Sequence, residues 1–381
     1  MQNSRIRHAR LAVAATFFLH GILFGTWVPH IPLAKDRLGV GTGTFGLALL
    51  AIALGGIIAM PVAGVLINRY GSARVCLIAG AAFCLMIIPP TQTADLFVFI
   101  AVALVFGMAI GSLDVAMNAH GIAVEKALRR PVMSLFHGMF SVGATAGAVA
   151  GAAALAVMPP TAHVLAASAV SLAVLVVAAR YYLPADADKG LSGSNFAWPT
   201  RATIGLGLLC FLALMTEGAV MDWSTIMLAE RFMIDAGTAA LGYALFSAGM
   251  AVSRFTGDWA RMRFGSISLL GWSAVLAAFG LAVALIVPLP VVAIVSLTLA
   301  GVGLGNAAPV LFAGGGRLEP SAPGRGIAAV TTLGYAGFLA GPPLIGFAAE
   351  FVGLPAALGL IVLASLIIAV FARAAGAADR Y

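Results

Sequence analysis

The chain has 381 residues, of which 62% are hydrophobic and 9% charged, with a formal net charge of +7; ordinary globular proteins carry about 25% charged residues. A soluble chain of this length builds two or three domains with polar surfaces, and there are too few polar residues here to cover them. That excludes a soluble globular protein. The basic residues fall in small clusters between apolar runs rather than along one stripe, which fits the positive-inside rule and not a nucleic-acid partner.

Apolar windows near twenty residues predict twelve spans, at 10–34, 44–67, 74–90, 94–120, 134–158, 161–183, 201–229, 239–261, 266–288, 290–315, 324–348 and 354–373. The first run follows Arg5, Arg7 and Arg10 and has no short apolar core ending in a cleavage site, so it reads as a retained span. It places His20 near its middle and Trp27 and His30 toward its exit. His20 and Trp27 are candidate cavity contacts, although a lone histidine among apolar residues is more often packed. Cys76, Cys84 and Cys210 lie in apolar runs without paired or metal-ligand spacing and read as small packing residues.

Most telling is the stretch from Gly107 to Gly151, where Asp114, Asn118 and His120 precede a basic turn with Lys126, Arg129 and Arg130. An acid inside an apolar helix costs roughly 2.5–3.5 kcal/mol on insertion unless it faces protein or a wet cavity. Asp114 and Asn118 are four apart and share a helix face. They form either a proton- or substrate-binding pair lining the cavity, or an acid held in a helix–helix hydrogen bond near the inner interface. His137, near Arg129 and Arg130, reads as structural, since their charges oppose its own. Gly143, Gly147 and Gly151 follow small-xxx-small spacing, with Gly337, Gly341, Pro342, Pro343 and Gly346 in the corresponding span of the second half. Such spacing permits close helix approach, and these stretches are expected to be surfaces on which the two halves rock.

The segment 184–200 has linker composition, dividing the chain into six-span bundles at 1–183 and 201–381. Beyond it, Glu217 is the deepest acid. Desolvation raises a carboxyl's pKa, so Glu217 and Asp114 are the proton-coupling candidates. Asp222 and Trp223, further along the same span, are candidates for substrate contact or for a gate. Arg254 and Asp258, four apart, can pair along one helix face and are gate candidates. Asn306 could hold a substrate hydroxyl or brace a helix.

Of the basic residues, eighteen, Lys189 and Arg380 among them, fall on one side of the twelve-span topology and only Lys35, Arg37 and Arg231 on the other. Both termini and the linker are therefore expected in the cytoplasm. A constant offset of 194 residues superposes Gly71 on Gly265, Gly107 on Gly301, Gly111 on Gly305, Gly143 on Gly337 and Gly147 on Gly341. It also lays NRYG, with Asn68 and Arg69, over MRFG, with Arg263. Two like halves in parallel orientation make a secondary-transporter plan.

The motifs DVAMNAHGIAVE from Asp114, RPVMSLFHGMFSVGA from Arg130, EGAVMDWS from Glu217 and GVLINRYGSAR from Gly64 carry a resemblance. Over essentially its whole length the chain resembles the major facilitator superfamily, and is most similar to its YbjJ-like branch, itself similar to the fucose permeases. The resemblance implies an all-α membrane fold of twelve helices in two pseudo-symmetric bundles. It also implies a gate around the loop pattern, with Asn68, Arg69, Arg254, Asp258 and Arg263 as its residues. The chain departs from the family's loop signature by placing Asn68 where an acid is expected; in the second half the acid appears as Asp258.

The expected function is movement of a small solute by alternating access in the bacterial cytoplasmic membrane, coupled to protons. Similarity to the fucose permeases suggests a sugar-like or hydroxylated solute; efflux of amphiphilic or toxic compounds by proton antiport is the alternative. The chain is read as a monomer in lipid, without cofactor, metal or nucleic acid. No Walker A, HExxH or GxSxG sequence is present, so no enzyme chemistry is expected.

Overall fold

A computed structural model describes residues 2–188 and 197–379. Lys189, Arg380 and the middle of the predicted linker lie outside them. Apolar side chains cannot satisfy backbone N–H and C=O groups, and lipid offers no partner, so spanning segments must bond internally. The described residues accordingly form helices and no strand. In order these are α1 (Gln2–Trp27), α2 (His30–Leu38), α3 (Thr42–Tyr70), α4 (Ser72–Met86), α5 (Leu96–Leu128), α6 (Met133–Leu155) and α7 (Pro160–Ala179). After the linker come α8 (Ile204–Phe232), α9 (Ala236–Ile286), α10 (Pro290–Leu304), α11 (Ala307–Leu318), α12 (Pro323–Val352), α13 (Leu354–Ala357) and α14 (Gly359–Val370). A 3-10 segment, Ala372–Asp379, follows.

Helix starts use the polar residues that the sequence supplies. The Asp95 carboxylate accepts from the Val98 N–H at 2.9 Å and that of Asp235 from the Thr238 N–H at 2.9 Å, each satisfying a donor left free in the first turn. At the α5–α6 turn, Glu125 accepts from the N–H groups of Val132 and Met133 at 2.7 and 3.1 Å. Arg129 sits in that turn with φ 53°.

Among the described residues ten helices are long and apolar enough to cross a bilayer, or 11 if the bent pair Leu354–Val370 and Ala372–Asp379 is one span. The 51-residue α9 is two helices joined at Gly265, whose φ of 76° and ψ of 160° are not helical. Dividing it there adds one more span. The chain is thus an all-α membrane protein.

Two compact units emerge, one of Met1–Gly39 with Ala51–Ser192, the other of Val40–Leu50 with Gly193–Tyr381. The opening turns of α3 therefore group with the second unit, where the Gly43 N–H donates to Glu350 at 3.1 Å.

Inside each unit the 194-residue repeat recurs as geometry. Gly71 and Gly265 both have positive φ, 87° and 76°, and each precedes a serine that starts a helix. A Cβ on Gly107 would lie 1.9 Å from the Ile52 carbonyl oxygen, and one on Gly301 1.9 Å from that of Phe246. Ile52 and Phe246 are themselves 194 apart. Alanine at either glycine must push two backbones apart, and overpacking of this kind costs typically about 1–3 kcal/mol. Gly107→Ala and Gly301→Ala should each lower the thermal midpoint of the purified protein, whereas Gly205→Ala, with open space at its Cβ, should not.

Gly143 and Gly147 pack on the carbonyls of Phe18 and Ile22 in α1, and Gly337 on that of Phe211 in α8. These close approaches fall within one unit or the other. For Gly143, Gly147 and Gly337 the expectation of a rocking surface between halves is corrected accordingly: they let α1 and α6, or α8 and α12, approach closely, whereas Gly346 meets the Thr42 carbonyl oxygen in the opening turn of α3.

Candidate functional site

The second unit gathers charge inside apolar helices. Glu217 stands thirteen residues into the 29-residue α8, and Arg254 of α9 reaches it, Nη2 to Oε1, at 3.4 Å. Both side chains are mostly buried, at 12% exposure for Arg254 and 19% for Glu217. Arg254, read from sequence as a gate residue beside Asp258, thus has the coupling candidate as a partner. Tyr243, also on α9, lies within electrostatic reach of Glu217, Arg254 and Asp222.

Asp222 is 7% exposed, and among the described residues it has no hydrogen-bond or ion-pair partner. Its neighbours Trp223, Ser224 and Thr225 are also buried, and the indole Nε1 and both hydroxyls have no partner either. Buried polar groups are normally bonded, so this run of four stands out. The Trp223 ring meets the edge of Phe45 at 6.3 Å.

In the first unit, Asn118 turns back on its own helix. Its Nδ2 donates to the Asp114 carbonyl at 2.9 Å and to the Asp114 carboxylate at 3.2 Å, with both residues half-buried. His20 is 2% exposed, its Nδ1 lies 3.3 Å from the Met117 sulfur, and its Nε2 is buried without a partner. The rings of Phe24, Phe83 and Phe140 surround it at 5.1–5.5 Å between centroids. Trp27, also read as a cavity contact, is buried with its ring against Phe106 at 5.7 Å, a packing role.

Asn306 makes a contact between helices. Its amide donates to the Ser253 carbonyl at 3.0 Å and hydroxyl at 2.8 Å, bracing α9 at the start of α11. The gate candidates separate as well. Asn68 and Arg69 are exposed, with the Arg69 guanidinium 5.1 Å from the Tyr70 ring. Arg263 is exposed too, and Arg261 instead makes the tertiary contact.

That contact was not read from sequence. Arg261 and Arg317 both donate to the Ala378 carbonyl. The Asp379 carboxylate accepts from the Ser266 N–H at 2.8 Å and hydroxyl at 2.6 Å. The 3-10 segment is thus strapped over the break at Gly265.

His30, toward the exit of the first span, is a packed residue. It is 1% exposed, stacked on His163 at an interplanar angle of 6°, with Nε2 3.1 Å from Nδ1.

Against known proteins, residues 13–205 match the model of the Major Facilitator Superfamily. The chain is 36% identical, over 96% of its length and 95% of the relative's, to an uncharacterized MFS-type transporter of Yersinia pestis. It is 29% identical to the membrane protein MosC of Rhizobium meliloti, over 94% of this chain and 88% of that one. Among solved structures it is similar to a mutant of the nucleoside transporter NupG, with TM-score 0.76 and 13% identity over 96% of this chain and 99% of that one. It is also similar to a variant of the Escherichia coli fucose:proton symporter FucP, with TM-score 0.62 and 17% identity over 96% and 97% of the two chains.

Proposed function

We propose a function from one premise, that this chain belongs to the major facilitator superfamily and is a membrane transporter: it carries a small hydroxylated solute by alternating access, coupled to protons. The carrying observation is the meeting of Glu217, Asp222, Tyr243 and Arg254 within apolar helices. Desolvation makes carboxyls of this kind sensitive to whether water reaches them, and intramembrane acids as a class serve proton relays and substrate paths. The unbonded indole N–H of Trp223 and hydroxyls of Ser224 and Thr225 can donate to and accept from solute hydroxyls. NupG carries nucleosides and FucP carries fucose with protons, and both cargoes are hydroxylated.

The basic residues crowd one side of the predicted topology, which supports a cytoplasmic-membrane protein with both termini inside. Asp114 with Asn118 supplies a second acidic position, in the first unit. Reconstituted into vesicles, the protein should accumulate some member of a panel of sugars and nucleosides when a pH gradient is imposed. If no member moves with the gradient, or if movement ignores it, coupled transport of such solutes is wrong.

A further inference from the structure

We propose that the first unit binds an anionic phospholipid in the pocket between the start of α1 and the end of α7, at the end that the count of basic residues puts toward the cytoplasm. The pocket has a volume of about 330 Å³ and is lined by Ser4, Arg5 and His8 of α1 and by Arg180, Tyr181 and Tyr182 where α7 ends. It draws on none of the acids of the second unit.

Charge identifies the class of ligand. Arg5 and Arg180 are exposed, and neither has a hydrogen-bond or ion-pair partner among the described residues. The described lining contains no carboxylate. Two guanidiniums at one mouth present planar, forked donors that match phosphate oxygens, and the Ser4 and Tyr181 hydroxyls are further donors. The walls are held in place by contacts of their own. Tyr182 is buried, with its hydroxyl 2.5 Å from that of Thr16 and its ring against His120. The His8 and Tyr181 rings meet at 5.5 Å between centroids, fastening α1 to α7 beside the two arginines.

Depth identifies the source of the phosphate. The apolar length of α1, Ser4–Trp27, has 24 residues, about 36 Å at the helical rise, against roughly 30 Å of hydrocarbon. Its first turn therefore stands at the level of the headgroups. The 20 residues of α7 span about 30 Å by the same rise, and Arg180 follows at once. One or two turns deeper on the same helix faces come Leu11 of α1 and Val174 and Val177 of α7, all exposed. A ligand with phosphate among the arginines and an apolar chain along these side chains is a phospholipid. A zwitterionic headgroup would also bring an ammonium, for which the described lining offers no counter-ion; an anionic one, such as phosphatidylglycerol, brings none. Basic pockets between spanning helices hold anionic headgroups in this way. The bound lipid ties the first helix of the unit to its last.

Melting temperatures of the detergent-purified full chain, measured as phosphatidylglycerol, phosphatidylcholine or inorganic phosphate is added, test this. Phosphatidylglycerol should raise the midpoint saturably, and neither phosphatidylcholine nor phosphate should match it at the same concentration. An arginine beside anionic lipid contributes about fivefold in affinity. Arg5→Gln and Arg180→Gln should each raise the half-saturating concentration by about that factor, and the double variant by about 25-fold. Arg130→Gln removes an equally exposed arginine, from the α5–α6 turn, and should leave the concentration unchanged. The lipid site is overturned if phosphatidylcholine stabilises as well as phosphatidylglycerol, or if inorganic phosphate gives the whole effect, which would make the pocket a free-anion site. It is equally overturned if the double variant responds as the wild type does, or if Arg130→Gln weakens the response as much. The comparison of the three additives uses the wild-type chain and so stands whatever the variants do.

Discussion

Arg254→Leu is expected to abolish solute accumulation driven by a pH gradient and to destabilise the second unit by roughly 3–5 kcal/mol, the cost of breaking a buried pair from one side. Arg254 and Glu217 are largely withdrawn from solvent, so surface screening does not rescue the remaining carboxylate. The variant must either bury a lone anion or bind a proton. Glu217→Gln creates the opposite imbalance, leaving a guanidinium that faces an amide. The double variant Glu217→Gln with Arg254→Leu removes both charges and should recover much of the stability, because well-packed neutral groups often replace a buried pair at little cost.

Transport should not recover with it, since the pair is proposed to work with Asp222 rather than merely to hold α8 on α9. Thermal melts of the four proteins give the coupling free energy through the cycle, and vesicle uptake gives the functional comparison. Arg254→Leu with wild-type stability and uptake would remove the pair from the mechanism.

What the sequence disclosed follows from how far apart the contributing residues lie. Span composition and the glycine offset are local or periodic signals, and both reappear as helices and as matching close approaches at Gly107 and Gly301. Glu217 was legible because a carboxyl in an apolar run has few explanations. Its partner was not: Arg254 lies 37 positions away and shares a face with the nearer Asp258. The strap on Asp379 was hidden for the same reason, its contact with Ser266 spanning 113 positions. The arginine pattern pointed to Arg263, yet only the fold determines that Arg261 is the one turned toward the Ala378 carbonyl. Asn306 had chemistry suited to a solute or a helix, and only the fold brings Ser253, 53 positions away, to its amide.

The largest effect expected in the first unit concerns His120, which no motif assigned. The Leu183 N–H donates to Nε2 at 3.1 Å, and an amide can only donate, so Nε2 carries no proton. The ring proton is therefore on Nδ1, which donates to the Ser72 hydroxyl at 2.6 Å. Tyr182 lies against the ring at 4.9 Å between centroids, and the imidazole is 1% exposed. One side chain of α5 thereby fastens the start of α4 to the chain leaving α7. Ser72 follows Gly71 as Ser266 follows Gly265, 194 positions on, where the Asp379 carboxylate does the corresponding work. Leucine at 120 would keep the bulk, strand the buried Leu183 amide and take the ring donor away from the Ser72 hydroxyl. An orphaned buried group costs about 1–3 kcal/mol, so His120→Leu should lose at least that much by the same measure. Ser72→Ala, which leaves the Leu183 amide bonded to the ring, should lose less. A melting temperature for His120→Leu equal to that of the wild type would mean that these bonds do not hold the bundle together.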